Sequence, residues 1–227
     1  MDFYAVRADY PWGDYGEGSI QGYVWPLSFY IQECIARQRQ IPFTEEESQG
    51  LNFVVERLGP VAPDLVISSD MFVVKENVKD LFFEAFPDIK AEPLIKGKIV
   101  DLPWETWDMN AELPPVAPPG GEPEGYIFEN EHSVSASEKM GTLYRLIFPK
   151  NPLMVEIHIP FLVVDIHFPY QLTFTPDRWK GEHFLCVPRP NFPDSLGAAI
   201  TIVSEYGKNW LSEQGLDKFL SFSGALV

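Results

Sequence analysis

The chain has 227 residues, 45% hydrophobic and 14% aromatic, enough to bury a core as one large domain or two small lobes. A formal net charge of −16 counts against nucleic acid or an anionic membrane surface as a direct ligand, since both call for a density of Lys and Arg. Cys34 and Cys186 are too few for a disulfide scaffold and lack metal-binding spacing, so both read as reduced core thiols.

The first nine residues carry neither a basic start nor an apolar run, so no secretory signal is expected. No apolar run reaches membrane-spanning length, and the expected location is the cytoplasm. Phe3 to Tyr10 reads as a strand, followed by a turn-rich run through Pro11, Gly13, Gly16 and Gly18. Tyr23 to Ile41 is open between strand and helix, with Leu27, Tyr30, Ile31, Cys34 and Ile35 fitting a helical stripe. Thr44 followed by Glu45, Glu46 and Glu47 predicts a capped helix running through Leu51, Val54, Val55 and Leu58 to the stop at Gly59-Pro60. Asp64 to Ser68 reads as a short buried strand, Val73 to Phe86 as an amphipathic helix, and Pro93 to Leu102 as a strand.

Between Lys98 and Lys139 there are 40 residues without Lys or Arg and with nine carboxylates, so this segment supplies −9 of the net charge. Six prolines and the pair Gly120-Gly121 bar its middle from helix or central strand. Trp104 and Trp107 stand at its start among acids. An acidic, proline-stiffened arm with aromatic anchors suits capture of a basic protein, and Asp101, Trp104, Glu105, Trp107, Asp108, Glu112, Glu122 and Glu124 are its candidate partner-binding residues. Its structural alternative is a solvated surface loop.

Beyond Gly125 the pattern becomes short apolar runs. Tyr126–Phe128, Thr142–Phe148, Met154–Ile159, Leu162–Phe168, Gln171–Phe174 and Phe184–Val187 are strand candidates. A helix from Glu205 to Gln214, with Trp210 on its apolar stripe, and a strand near Phe219 to Phe222 close the chain.

The most enzyme-like phrase pairs Glu156 and His158 with Asp165 and His167, a spacing that a metal-dependent enzyme could use. On one continuous strand, however, the first pair faces opposite to the second, and paired strands with solvent-facing rungs explain the phrase without metal. His132 stands in a loop that offers nothing to desolvate or orient it, and no serine occupies a nucleophile elbow. Neither enzymatic activity nor a cofactor is expected.

Two segments 129 residues apart echo one another: Val74/Val203, Glu76/Glu205, Lys79/Lys208 and Glu84/Glu213 are identical, and Asp88/Asp217 follows in the same register. Duplication and independent use of one strand-to-helix unit both account for this. The phrase Ile202-Val203-Ser204-Glu205-Tyr206-Gly207-Lys208-Asn209-Trp210-Leu211, with its tail Gly215 to Phe219, resembles the immunity proteins of bacterial polymorphic-toxin systems. Asp64 to Asp70 is similar to the aspartate-rich strand entry of that superfamily, whereas Gly207 inside the helix departs from its pattern. The resemblance implies an α+β fold and a cytoplasmic antidote that covers the active site of a cognate toxin, such as a basic nuclease. An acidic adaptor or chaperone for a secreted effector is the other binding-protein reading. The expected architecture is strand-helix-strand units around a mixed or antiparallel sheet. It divides into an N-terminal lobe (1–100), an acidic Pro/Gly-rich arm (101–124) and a C-terminal β-rich lobe (125–227).

Overall fold

The computed structural model describes residues 2–9, 23–58, 64–68, 71–101, 130–150, 155–158, 171–188 and 199–224. The fold is α+β. Its strands are β1 (Phe3–Ala8), β2 (Tyr23–Pro26), β3 (Phe53–Leu58), β4 (Leu65–Ser68), β5 (Met71–Lys75), β6 (Lys90–Pro93) and β7 (Ile95–Val100), then β8 (Leu143–Ile147), β9 (Val155–His158), β10 (Gln171–Phe174), β11 (Phe184–Pro188), β12 (Ala199–Ser204) and β13 (Leu220–Gly224). The helices are α1 (Leu27–Ala36), α2 (Glu45–Ser48), α3 (Glu76–Ala85), α4 (Val134–Met140) and α5 (Glu205–Glu213).

Two four-stranded sheets share one topology. In the first the order is β4-β5-β8-β6 and in the second β11-β12-β1-β13, with every neighbouring pair antiparallel. In each, a hairpin feeds a helix that crosses to a strand parallel to the second hairpin strand, and a strand from elsewhere in the chain fills the gap. That filler is β8 in the first sheet and β1 in the second, so each sheet draws on both halves of the chain.

The register carries the echo seen in the sequence. Val74 lies opposite Tyr144 and Val203 opposite Tyr4, and both valines are fully buried. The ammonium of Lys79 sits 4.4 Å from the Tyr144 ring centroid, and that of Lys208 sits 4.2 Å from the Tyr4 centroid. Phe82 and Leu211, also 129 apart, are both fully buried. The repeat is therefore one of topology, register and a cation–π contact.

The helical faces of the two repeats meet in the largest core cluster, which joins Val74, Val78, Phe82 and Phe86 to Phe184, Val203, Leu211 and Leu220. Aromatic edges hold it: Phe82 lies 4.9 Å from Trp210 and 5.3 Å from Phe184, and Phe86 lies 4.9 Å from both. Behind the first sheet, Val66, Met71, Val73 and Leu143 pack on Val24, Phe53, Val55 and Ile99 of a third sheet, ordered β2-β3-β7, together with Ala136 and Met140 of α4. Helix α1 covers the opposite face of that third sheet through Tyr30 and Cys34. Strands β9 and β10 form a separate antiparallel pair.

Several expectations change. The helix expected from Glu45 to Leu58 is only one turn long. Its capping box closes between Thr44 and Glu47, but Gly50 turns the chain with φ +78, and the β-branched Val54 and Val55 continue as β3. Residues 73–75 belong to β5 rather than to the helix that follows. The open reading of 23–41 resolves as a strand followed directly by a helix. Helix α4, capped by Ser133, occupies a segment with no expected element.

Gly207, the departure from the immunity pattern, sits in the first turn of α5. A Cβ there would come within 2.6 Å of Val203 Cγ2 and 3.0 Å of the His183 carbonyl. Glycine is what lets this helix lie directly on β11 and β12. Trp210 is half-buried against Phe82 and Phe86, in keeping with its place on the apolar stripe.

Candidate functional site

Of the candidate partner-binding residues, Asp101 is placed: it follows β7 and is exposed. Trp104, Glu105, Trp107, Asp108, Glu112, Glu122 and Glu124 lie outside the described residues. So do the expected strands 126–128 and 162–168, and His167. The backbone of His158 closes β9 opposite Gln171. Among the described residues, no three His, Cys, Asp or Glu side chains are grouped so as to hold a metal ion.

The two roots of the acidic segment are fastened side by side. Ile99 of β7 donates its N–H to His132 Nδ1 at 3.1 Å, and Ser133 N–H donates to the Ile99 carbonyl at 2.8 Å. Ser133 then caps α4, its Oγ accepting from Ala136 N–H at 3.2 Å. The described residues on either side of 102–129, a segment with six carboxylates and no Lys or Arg, are thus held side by side. His132 is not the unoriented loop histidine that the sequence suggests. Burial and the Lys98 ammonium hold it below the usual histidine range, and its Nδ1 completes the ladder of β7.

A cavity of about 950 Å³ opens beside these roots, lined by Arg37, Arg39, Lys98, His132 and Val134 among others. Helix α1 ends in a Schellman turn: Gln38 N–H reaches the Ile35 carbonyl at 3.1 Å and Arg39 N–H reaches the Cys34 carbonyl at 2.8 Å. Gln38, at φ 54, occupies the left-handed position that glycine usually fills. This turn sends Arg39 back beneath the helix to pair with Glu56, which is only 3% exposed. Arg37 pairs instead with Glu33 at 2.8 Å.

The contact between α1 and β7 next to Lys98 is tightly built. Tyr30 Oη accepts from Lys98 N–H at 3.2 Å, and a Cβ on Gly97 would lie 2.9 Å from that oxygen. Burial, reinforced by the Glu56 carboxylate, pushes the Tyr30 hydroxyl above its ordinary range. Burial also raises the Cys34 thiol, which makes it a core group rather than a nucleophile. Burial and the Arg39 guanidinium hold Lys98 down.

One serine–histidine contact lies elsewhere: His183 Nδ1 is 2.8 Å from Ser204 Oγ. Ser204 is fully buried, and its Oγ accepts Gly207 N–H as the N-cap of α5, so no substrate carbonyl can reach it. The pair is a cap and its support. Sequence reasoning missed both histidine roles because each depends on a partner distant along the chain, the Ile99 N–H for His132 and the Ser204 hydroxyl for His183.

Comparison with protein-family models, curated proteins and solved structures gives no match to this chain. Among the described residues, no helix is long and apolar enough to cross a membrane.

Proposed function

We propose that this chain is an immunity-type antidote. It binds a cognate bacterial toxin domain and covers its active cleft, with the acidic arm as the principal contact. The observation that carries the reading is the fastening of Ile99 to His132 and Ser133, which holds side by side the two described ends of a segment with six carboxylates. A tethered segment of one charge steers association with an oppositely charged partner, while the aromatic residues at its start supply apolar anchors. A basic partner such as a nuclease domain meets that requirement, since a protein that binds anionic substrate exposes Lys and Arg around its cleft. The strand–helix–strand of β12, α5 and β13, which carries the immunity-like phrase, supports the same reading.

The test is to search the neighbouring genes for a toxin domain and to co-express that domain with this chain. A stable complex and restored growth are expected. Full toxicity, with the two proteins failing to co-purify, contradicts the reading.

A further inference from the structure

Where the two repeats meet, a second cavity of about 700 Å³ opens between the end of α3, the end of β8 and the turn before β11. Phe86, Phe148 and Pro149 form an apolar wall, and Lys90, Lys180 and His183 stand around it. Lys90 and Lys180 are exposed, and neither enters an ion pair among the described residues.

His183 is the third polar group. Its Nδ1 lies 2.8 Å from Ser204 Oγ, which also accepts Gly207 N–H. In the tautomer that takes the serine hydrogen at Nδ1, the ring carries its own proton on Nε2. Burial holds it below the usual histidine range, although the nearby Asp88 carboxylate acts in the other direction.

Two carboxylates balance the two ammonium groups. Glu182 is held in place by Lys180 N–H at 2.9 Å, and Asp88 lies on the rim next to Pro87. A rim of both charge signs over an apolar wall selects neither a simple anion nor a simple cation. It matches a molecule that carries both charges on an apolar body.

The other repeat supplies an internal control. In equivalent register, Gly215 stands for Phe86, Ser221 for Lys90 and Asp64 for His183. The shared scaffold forms without the aromatic wall, the lysine or the histidine, so these groups are not required by the topology.

We infer that the cavity between the repeats binds an apolar α-amino-acid zwitterion. Its carboxylate meets Lys90, Lys180 and His183 Nε2–H, its ammonium meets Asp88 and Glu182, and its side chain lies against Phe86 and Phe148. The site is independent of the toxin-binding arm.

Titration calorimetry of the full chain with L-phenylalanine tests this, with 3-phenylpropionate (no ammonium) and 2-phenylethylamine (no carboxylate) run in parallel. L-Phenylalanine should bind saturably and about tenfold more tightly than either single-charge analogue, the loss expected when a charge-assisted contact is missing. The double variant Lys90→Met/Lys180→Met should weaken it at least about tenfold while melting like wild type, because both side chains are exposed. Lys90→Arg/Lys180→Arg should retain binding. Absence of saturable heat, equal affinity for all three probes, or unchanged binding by the Met variant would each overturn the assignment.

Discussion

Gly207→Ala should destabilise this protein, although the same exchange inside an exposed helix favours the helix by about 1 kcal/mol. The reason is local space. The added Cβ would meet Val203 Cγ2 at 2.6 Å, the His183 carbonyl at 3.0 Å and Phe184 Cε2 at 3.2 Å. The valine is fully buried, and the carbonyl is fixed by Ser204 N–H at 3.0 Å, so neither yields easily. Overpacking of this kind costs about 1–3 kcal/mol, which leaves a net loss of up to about 2 kcal/mol after the propensity gain. Urea denaturation near neutral pH reads it as a lower midpoint at unchanged slope. Val203→Ala removes the closest contact, so the double variant should lose less than the two single losses combined, by about 1 kcal/mol. A Gly207→Ala protein as stable as wild type, or more so, would refute the account of how α5 lies on its sheet.

The Schellman turn of α1 predicts the opposite sign at Gln38, where Gly should raise stability by about 0.5–1 kcal/mol in the same denaturation assay, since glycine carries no left-handed penalty. Arg39→Met leaves the Glu56 carboxylate buried and unpaired and should cost about 3–5 kcal/mol, whereas Arg39→Met/Glu56→Met should recover much of that loss. Burial holds both His132 and His183 below the ordinary 6.5, and each is tied through Nδ1, His132 to Ile99 N–H and His183 to Ser204 Oγ. Their contribution is therefore complete above the unfolded value and is lost as pH falls from there toward the folded values. Urea midpoints measured across that window should drop for wild type, and less steeply for His132→Asn/His183→Asn, which keeps an acceptor near each Nδ1 position.

The fold class was readable because strand signals and the α3 and α5 stripes are local. The sequence could also show the echo at a spacing of 129, since identical residues such as Lys79 and Lys208 need no structure to align. It could not show that β8 and β1 fill equivalent gaps, because those pairings join residues as distant as Tyr4 and Val203. The capping box at Thr44 correctly marked a helix start, yet its length was set by Gly50 and by pairing of Val54 and Val55 in β3. Val73 to Phe86 fits a helical period throughout, and only the pairing of Val73 and Val74 with β8 assigns the start of that run to a strand. At the candidate site, charge pattern alone identified the acidic segment. The fastening of its roots was not legible, because His132 acts through the backbone of Ile99, 33 residues away.

The central claim is that carboxylates of the acidic arm steer this chain onto a basic toxin. The most direct measurement is the association rate with the cognate toxin domain as a function of salt, for wild type and for Glu105→Gln/Asp108→Asn/Glu112→Gln. Steering predicts a wild-type rate that falls steeply with added salt and a several-fold slower, flatter profile for the variant, with both proteins equally stable. Rates that coincide and do not respond to salt would contradict it.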